Sequence, residues 1–462
     1  MSGLKETFET EEMFSEFGGL FTREAVAERL EDRETREGRH LAEFAVHYYI
    51  ERRLRELTER IANEENAVLV ECREEAVPFR SAWGQLMTEC DSARRRALEE
   101  GVAEAVARQN AERAERVAGQ SEIARELGFA DYRGLCEELS GQRLEALGEE
   151  MGGFLEETEE VYRARVAEAL SEVGLKAEEA TDADLRWVVL GLKNEELFPV
   201  EKLLPAADTT LEGLGVGPAQ QGHVHLDLEP RPKKYPRPFC SLVAVPEEVW
   251  VVAAPRGGCV DYLSFFHELG HAQHFAHMSP RLPWAYRLTG DDALTEGFAF
   301  ALQAVVLEAG WLREVMGVEP VPEELLEAGR LLDFWYVRRY AGKIAYELEL
   351  HRGKGPVEAM AERYARLLGG AMGVRANPEH YLFDVDDRFY CACYLRAWRF
   401  EACLREQLRE RFGESWFRRA ETGAWLRSLW ERGTELTAEE MAEELGMECG
   451  LGPLRDRLLR DG

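Results

Sequence analysis

The chain has 462 residues, 45% of them hydrophobic, enough for a substantial core in one large two-lobed unit or in two to three smaller domains. Its formal net charge of -31 argues against nucleic-acid and anionic-membrane partners and favours solubility. No run approaches the roughly eighteen apolar residues of a membrane span, and Met1 to Gly19 is polar and acidic, without the apolar centre of an export signal. The 9 cysteines form no zinc-spaced CxxC pair, and their odd number, with no export signal, points to reduced thiols in a cytoplasmic protein.

From Arg23 to about Gly174, stretches rich in Ala, Glu, Arg and Leu have helical periodicity, with breaks expected at Pro78, at Gly128 to Tyr132 and at Gly152-Gly153. Residues 204–221, with Pro205, Pro218 and several glycines, read as a connector into the only convincing β region. This gives an expected helical N-terminal region over 1–215 and a second region over 216–462, whose lobes can intermix. Gly222 to Leu228 alternates, with His223, His225 and Asp227 on one face. Two histidines at that spacing can bind a metal, but a half-exposed edge strand is the commoner outcome. Phe239 to Val245 and Val249 to Ala254 flank Pro246-Glu247-Glu248 as a hairpin.

The hairpin runs into a Pro-Arg-Gly-Gly turn, and Asp261 is the expected N-cap of a helix with Val260, Leu263, Phe266 and Leu269 at its apolar positions. That helix carries His267-Glu268-Leu269-Gly270-His271, an HExxH motif. Two histidines four apart share one helix face, so both imidazoles reach a single zinc ion, and Glu268 lies close enough to take a proton from a zinc-bound water. Glu296, in a second expected helix from Asp291 to Leu307, supplies a third ligand, which makes 216–462 the expected catalytic region. His277 is a rival, because it has the spacing of the last histidine in HExxHxxGxxH. His274 stands where that pattern has its helix-ending glycine, so the helix is expected to run on and carry His277 away from the metal. His274 itself is expected beside the metal or substrate rather than on the ion. Further on, Glu323 to His351 and Pro356 to Leu368 read as helices, and Gly369 to Pro378 as a flexible loop lining a cleft.

The run Phe265 to His274 resembles the signature of the thimet oligopeptidase and oligoendopeptidase F family of zinc peptidases. Val224 to Leu228, Lys234-Tyr235 and the strand pair Ser241 to Ala254 are also similar to what precedes the motif in that family. Thr295-Glu296-Gly297 is similar, in addition, to the third-ligand helix of the related angiotensin-converting enzymes. The likeness is specific over about 222–300 and looser to about 430. It implies a mainly α, two-lobed helical peptidase with a deep channel and a small β-sheet beside the zinc-binding helix. One zinc would be held by His267, His271 and Glu296, with Glu268 as general base and short unstructured peptides as substrates. In these families a histidine and a tyrosine, on a helix about ten residues further on, both donate hydrogen bonds to substrate and oxyanion. His380 and Tyr390 match that spacing, and Tyr394 lies one turn further on; plain core packing of both tyrosines is the alternative. Two other readings stay open: a non-catalytic peptide-binding protein on the same fold, and a zinc hydrolase of a non-peptide amide.

Overall fold

The computed structural model describes residues 8–73, 75–190, 194–217, 221–231, 234, 237–353 and 355–460, so Pro218 and Tyr235 lie outside the described residues. The chain is mainly α-helical, with one two-stranded and one three-stranded sheet among the described residues. It divides into two compact units: Thr7–Gly191 with Phe334–Ala392, and Leu192–Asp333 with Cys393–Gly462.

In the first of these units the helices start where their caps dictate. Thr22, Thr35, Asp91 and Asp131 each accept a backbone N–H of the first turn that has no partner within the helix. The unit also holds a hairpin that the helical periodicity does not predict, β1 (Leu69–Cys72) antiparallel to β2 (Glu75–Pro78). Its strands are four residues long, too short for alternation to stand out. What holds them is burial of Val70, Cys72 and Val77 against Leu98, Val102 and Val106 of the Ser92–Arg108 helix. Gly152-Gly153 does not break the chain, because one helix runs through from Leu144–Glu172. The two glycines cost that helix about 2 kcal/mol relative to alanine. Burial of Leu147, Met151, Phe154 and Tyr162 along one face offsets this. Gly369 to Met372 is likewise helical, the last turn of Met360–Met372. The chain leaves the helix at Gly373, at φ 81, and Arg375 then pairs its backbone with Ala180 and Asp182.

The second unit contains the sheet. β3 (Val224–Asp227) runs parallel to β5 (Glu248–Val252), and β4 (Phe239–Ala244) pairs with the other side of β5 in an antiparallel hairpin, giving the order β3-β5-β4. Val249, Val251 and Val252 are buried, as expected of a central strand. The start of the expected connector is instead a helix, Val200–Gly213, with Pro205 inside it. Its buried face of Leu203, Ala206, Ala207, Thr210 and Leu211 outweighs the roughly 3 kcal/mol that an internal proline costs. No helix among the described residues is long and apolar enough to cross a membrane.

Candidate metal centre

The HExxH residues lie on the Cys259–Ala276 helix. Gly257 and Gly258, both at φ 95, bring the chain into it. A Cβ on Gly258 would stand 2.1 Å from a Glu195 carboxylate oxygen, so the turn needs glycine for space as well as for backbone angle. The helix begins earlier than the capping pattern implies. Asp261 lies within its first turn, and its carboxylate accepts the N–H groups of Arg256 and Gly257 at 2.5 and 3.0 Å, tightening the preceding turn.

Glu296 lies on the Asp292–Ala304 helix, N-capped by Asp291 through the Ala293 N–H. The two helices touch almost backbone to backbone, since a Cβ on Gly270 would fall 2.5 Å from Ala299 Cα. Gly297 allows a similar approach of the Phe400 ring. This closeness is what brings a carboxylate from one helix to imidazoles on the other. His267 Nε2 lies 3.2 Å and His271 Nε2 3.5 Å from one Glu296 oxygen, and the two Nε2 atoms are 3.1 Å apart. Thr295, beside Glu296 in sequence, places its hydroxyl 3.2 Å from His271 Nδ1 and so orients the other ring nitrogen toward Glu296. The motif reading misses this residue, although its place next to the third-ligand candidate is a usable signal.

The electrostatics follow from the enclosure. Burial alone would raise the Glu296 carboxyl, but the neighbouring His271 charge and hydrogen bonds from His267 and His271 hold it well below the usual carboxylate range. Burial would lower His271, yet Glu296 raises it above the ordinary histidine value. Glu268, between the two histidines, is raised mainly by burial, and it accepts the backbone N–H of Cys240 on β4. Three lone-pair donors, two imidazole nitrogens and a carboxylate oxygen, therefore lie within 4.8 Å of one another. That donor set fits a zinc ion.

The other candidates fall elsewhere. His277 is the C-cap of the motif helix; its Nδ1 is 2.8 Å from the Gln273 carbonyl and its ring lies against Trp430, outside the three-ligand group. His274 is fully buried against Phe275 and Phe298, and burial lowers its pKa to about 3. His225 stacks on Trp250 of the adjacent strand. His380 and Tyr390 belong to the first unit. His380 packs against the stacked pair Trp83 and Phe383, and burial lowers its pKa to about 4. Tyr390 opens the Tyr390–Phe412 helix directly after Arg388 and Phe389, which hold the left-handed angles φ 58 and 54. Tyr394 is in the second unit, where it contacts Trp398 and Phe300, and Phe300 in turn lies edge-on to His267.

A second group of ligand-type side chains, Glu347, Asp386 and Cys391, lies in the first unit. Lys343 already places its ammonium 2.9 Å from Asp386 and 3.5 Å from Asp384, so a side-chain cation supplies the positive charge there.

Comparison by sequence finds no matching protein family and no matching curated protein. Solved structures do match. A structure described as oligoendopeptidase F from Bacillus anthracis str. Ames superposes with a TM-score of 0.64 at 12% identity, over 97% of this chain and 78% of that one. PZ peptidase A, in complex with an inhibitor, gives a TM-score of 0.65 at 13% identity, over 97% and 80%. The chain has their fold.

Proposed function

We propose that this chain is a zinc-dependent peptidase acting on short unstructured peptides, with His267, His271 and Glu296 as ligands and Glu268 as general base. The observation that carries the reading is the convergence of the three ligand atoms within 4.8 Å, with a half-buried carboxylate, Glu268, between the two histidines in sequence. The peptidase names attached to both similar structures support it. When bound, zinc supplies a Lewis acid that acidifies water and polarises the scissile carbonyl. Around it, Thr295 fixes the His271 ring, and Glu296 supplies the negative charge that makes the ligand set favourable to a dication. Glu268 takes the proton of the attacking water and returns it to the leaving amine. The Cys240 N–H holds one face of that carboxylate in place.

Metal analysis combined with hydrolysis of a mixed panel of peptides and non-peptide amides tests the proposal. The purified chain is expected to hold about one zinc and to cleave peptides, and His271→Ala to lose most of the metal and the activity. Full zinc occupancy in His271→Ala overturns the ligand set. Zinc without peptide cleavage overturns the peptidase reading, with cleavage of another amide pointing to a different hydrolase.

A further inference from the structure

Two of the free thiols meet in the second unit, and neither belongs to the three-ligand group. Cys403 lies on the Tyr390–Phe412 helix, 3% exposed, and its Sγ donates to the Glu448 carbonyl at 3.2 Å. One turn earlier Arg399 donates from Nη2 to the Cys449 carbonyl at 2.8 Å. These two bonds hold the backbone at 448–449 down on a single helical turn, just before the Leu451–Leu459 helix. Glu448 is bonded to Cys449, so the Cys403 sulfur lies beside the second cysteine, and each thiol influences the ionisation of the other. Closing a disulfide there asks two neighbouring side chains to turn toward each other rather than two distant segments to meet.

We propose that Cys403 and Cys449 form an oxidisable dithiol that a hydroperoxide closes to a disulfide. The two sulfurs are not equivalent. Cys403 is buried, whereas Cys449 is only partly buried and open to a small oxidant. The neighbouring Cys403 thiol and the Arg399 charge lower the Cys449 pKa, while Cys449 and burial push Cys403 up. Cys449 is therefore the attacking thiolate and Cys403 the resolving thiol.

In the first step Cys449 sulfur attacks one peroxide oxygen, the O–O bond breaks, and the departing oxygen takes up a proton to leave as water or alcohol. Cys449 is left as a sulfenic acid. Cys403 sulfur then attacks the Cys449 sulfur, the S–S bond forms, and the S–O bond breaks. The Cys403 proton leaves with the displaced hydroxide as water. The two thiols lose two electrons and two protons, and the hydroperoxide gains them.

The experiment uses the full-length reduced chain and hydrogen peroxide, read by mass rather than by activity, so it stands apart from the hydrolase reading. Brief treatment is expected to lower the intact mass by about 2 Da and to join the peptides containing Cys403 and Cys449, with reversal by dithiothreitol. Cys403→Ser is expected to accumulate a dimedone-reactive sulfenic acid on Cys449, and Cys449→Ser to give neither adduct nor cross-link. Oxidation of Cys449 is expected to be at least ~10-fold faster than that of the exposed Cys90, which has no such partner. The wild-type chain decides the matter even if a variant fails to fold. If Cys90 or Cys240 is oxidised first while 403 and 449 stay reduced, or if Cys449 goes to sulfinic acid without a cross-link, the proposal is wrong.

Discussion

Glu268 and the three candidate ligands beside it have different proposed roles, and substitutions separate them. Glu268→Gln keeps the shape and both neighbouring imidazoles but removes the proton acceptor. Zinc content and unfolding midpoint are therefore expected to stay at wild-type levels, while turnover of a short peptide drops on the order of 100- to 10,000-fold. Wild-type turnover in that variant would remove the general-base assignment. The oxyanion role that the resemblance implies for Tyr390 calls for a paired comparison. Tyr390→Phe is expected to cost turnover on the order of 100- to 1000-fold with little change in KM, and Tyr394→Phe to cost little. Tyr394 contacts Phe300, which lies against His267, so the opposite pattern would place the donor one turn along the helix.

The helix bearing Glu296 depends on an anchor that supplies none of the candidate ligands. Asp291 caps the Asp292–Ala304 helix, takes both Arg396 Nη atoms at 2.7 Å, and accepts the Ala438 N–H at 2.8 Å. It thereby ties the helix bearing Glu296 to Arg396 and to the start of the Ala438–Glu444 helix. Arg396 is itself buried, with Glu439 as its other carboxylate partner. Asp291→Ala removes a cap worth ~1 kcal/mol and leaves a buried guanidinium short of one partner, a loss of about 3–5 kcal/mol. Urea unfolding is expected to show a drop of that order, and zinc affinity to fall with it because Glu296 loses its fixed position. An unchanged unfolding midpoint would show that Glu439 alone holds Arg396. The start of this helix was legible in the sequence, since the apolar run sets it at Asp291. Its partners were not, since Arg396 and Ala438 stand more than a hundred residues away.

Buried histidines set an acid limit on the molecule. His351 is 2% exposed between Tyr132 and Phe389, and burial lowers its pKa to about 4. In the unfolded chain the same imidazole titrates near 6.5. Between those values the unfolded state binds the extra proton. The stabilising contribution of neutral His351 is thus fully present above 6.5 and is lost as pH falls through about 4. His380 behaves in the same way, for the same reason. Replacing His351 by leucine removes one titration, so relative to wild type the variant is expected to gain about 2 kcal/mol on moving from pH 7.5 to pH 5. Equal pH dependence in the two proteins, by urea unfolding, would mean that His351 is protonated in the fold.

What could be read directly was local. Helical periodicity is a short-range pattern, and it told of a mainly α chain with one hairpin before the motif. The four-residue spacing of His267 and His271 places both imidazoles on one helix face before any tertiary contact forms. The elements misread were those in which a local breaker met a large buried face. Pro205 and Gly152-Gly153 sit inside helices, and the β1–β2 hairpin forms on a helix surface, because long-range burial outweighs local terms of about 1–3 kcal/mol. Contacts between distant segments left no local trace. The approach of Gly270 to Ala299, the Thr295 hydroxyl beside His271, and the meeting of Cys403 with Cys449 each depend on how separate helices pack. Side-chain spacing along one helix is set by its own backbone hydrogen bonds, whereas the distance between two helices is set by every side chain at their interface, and only the folded chain decides that.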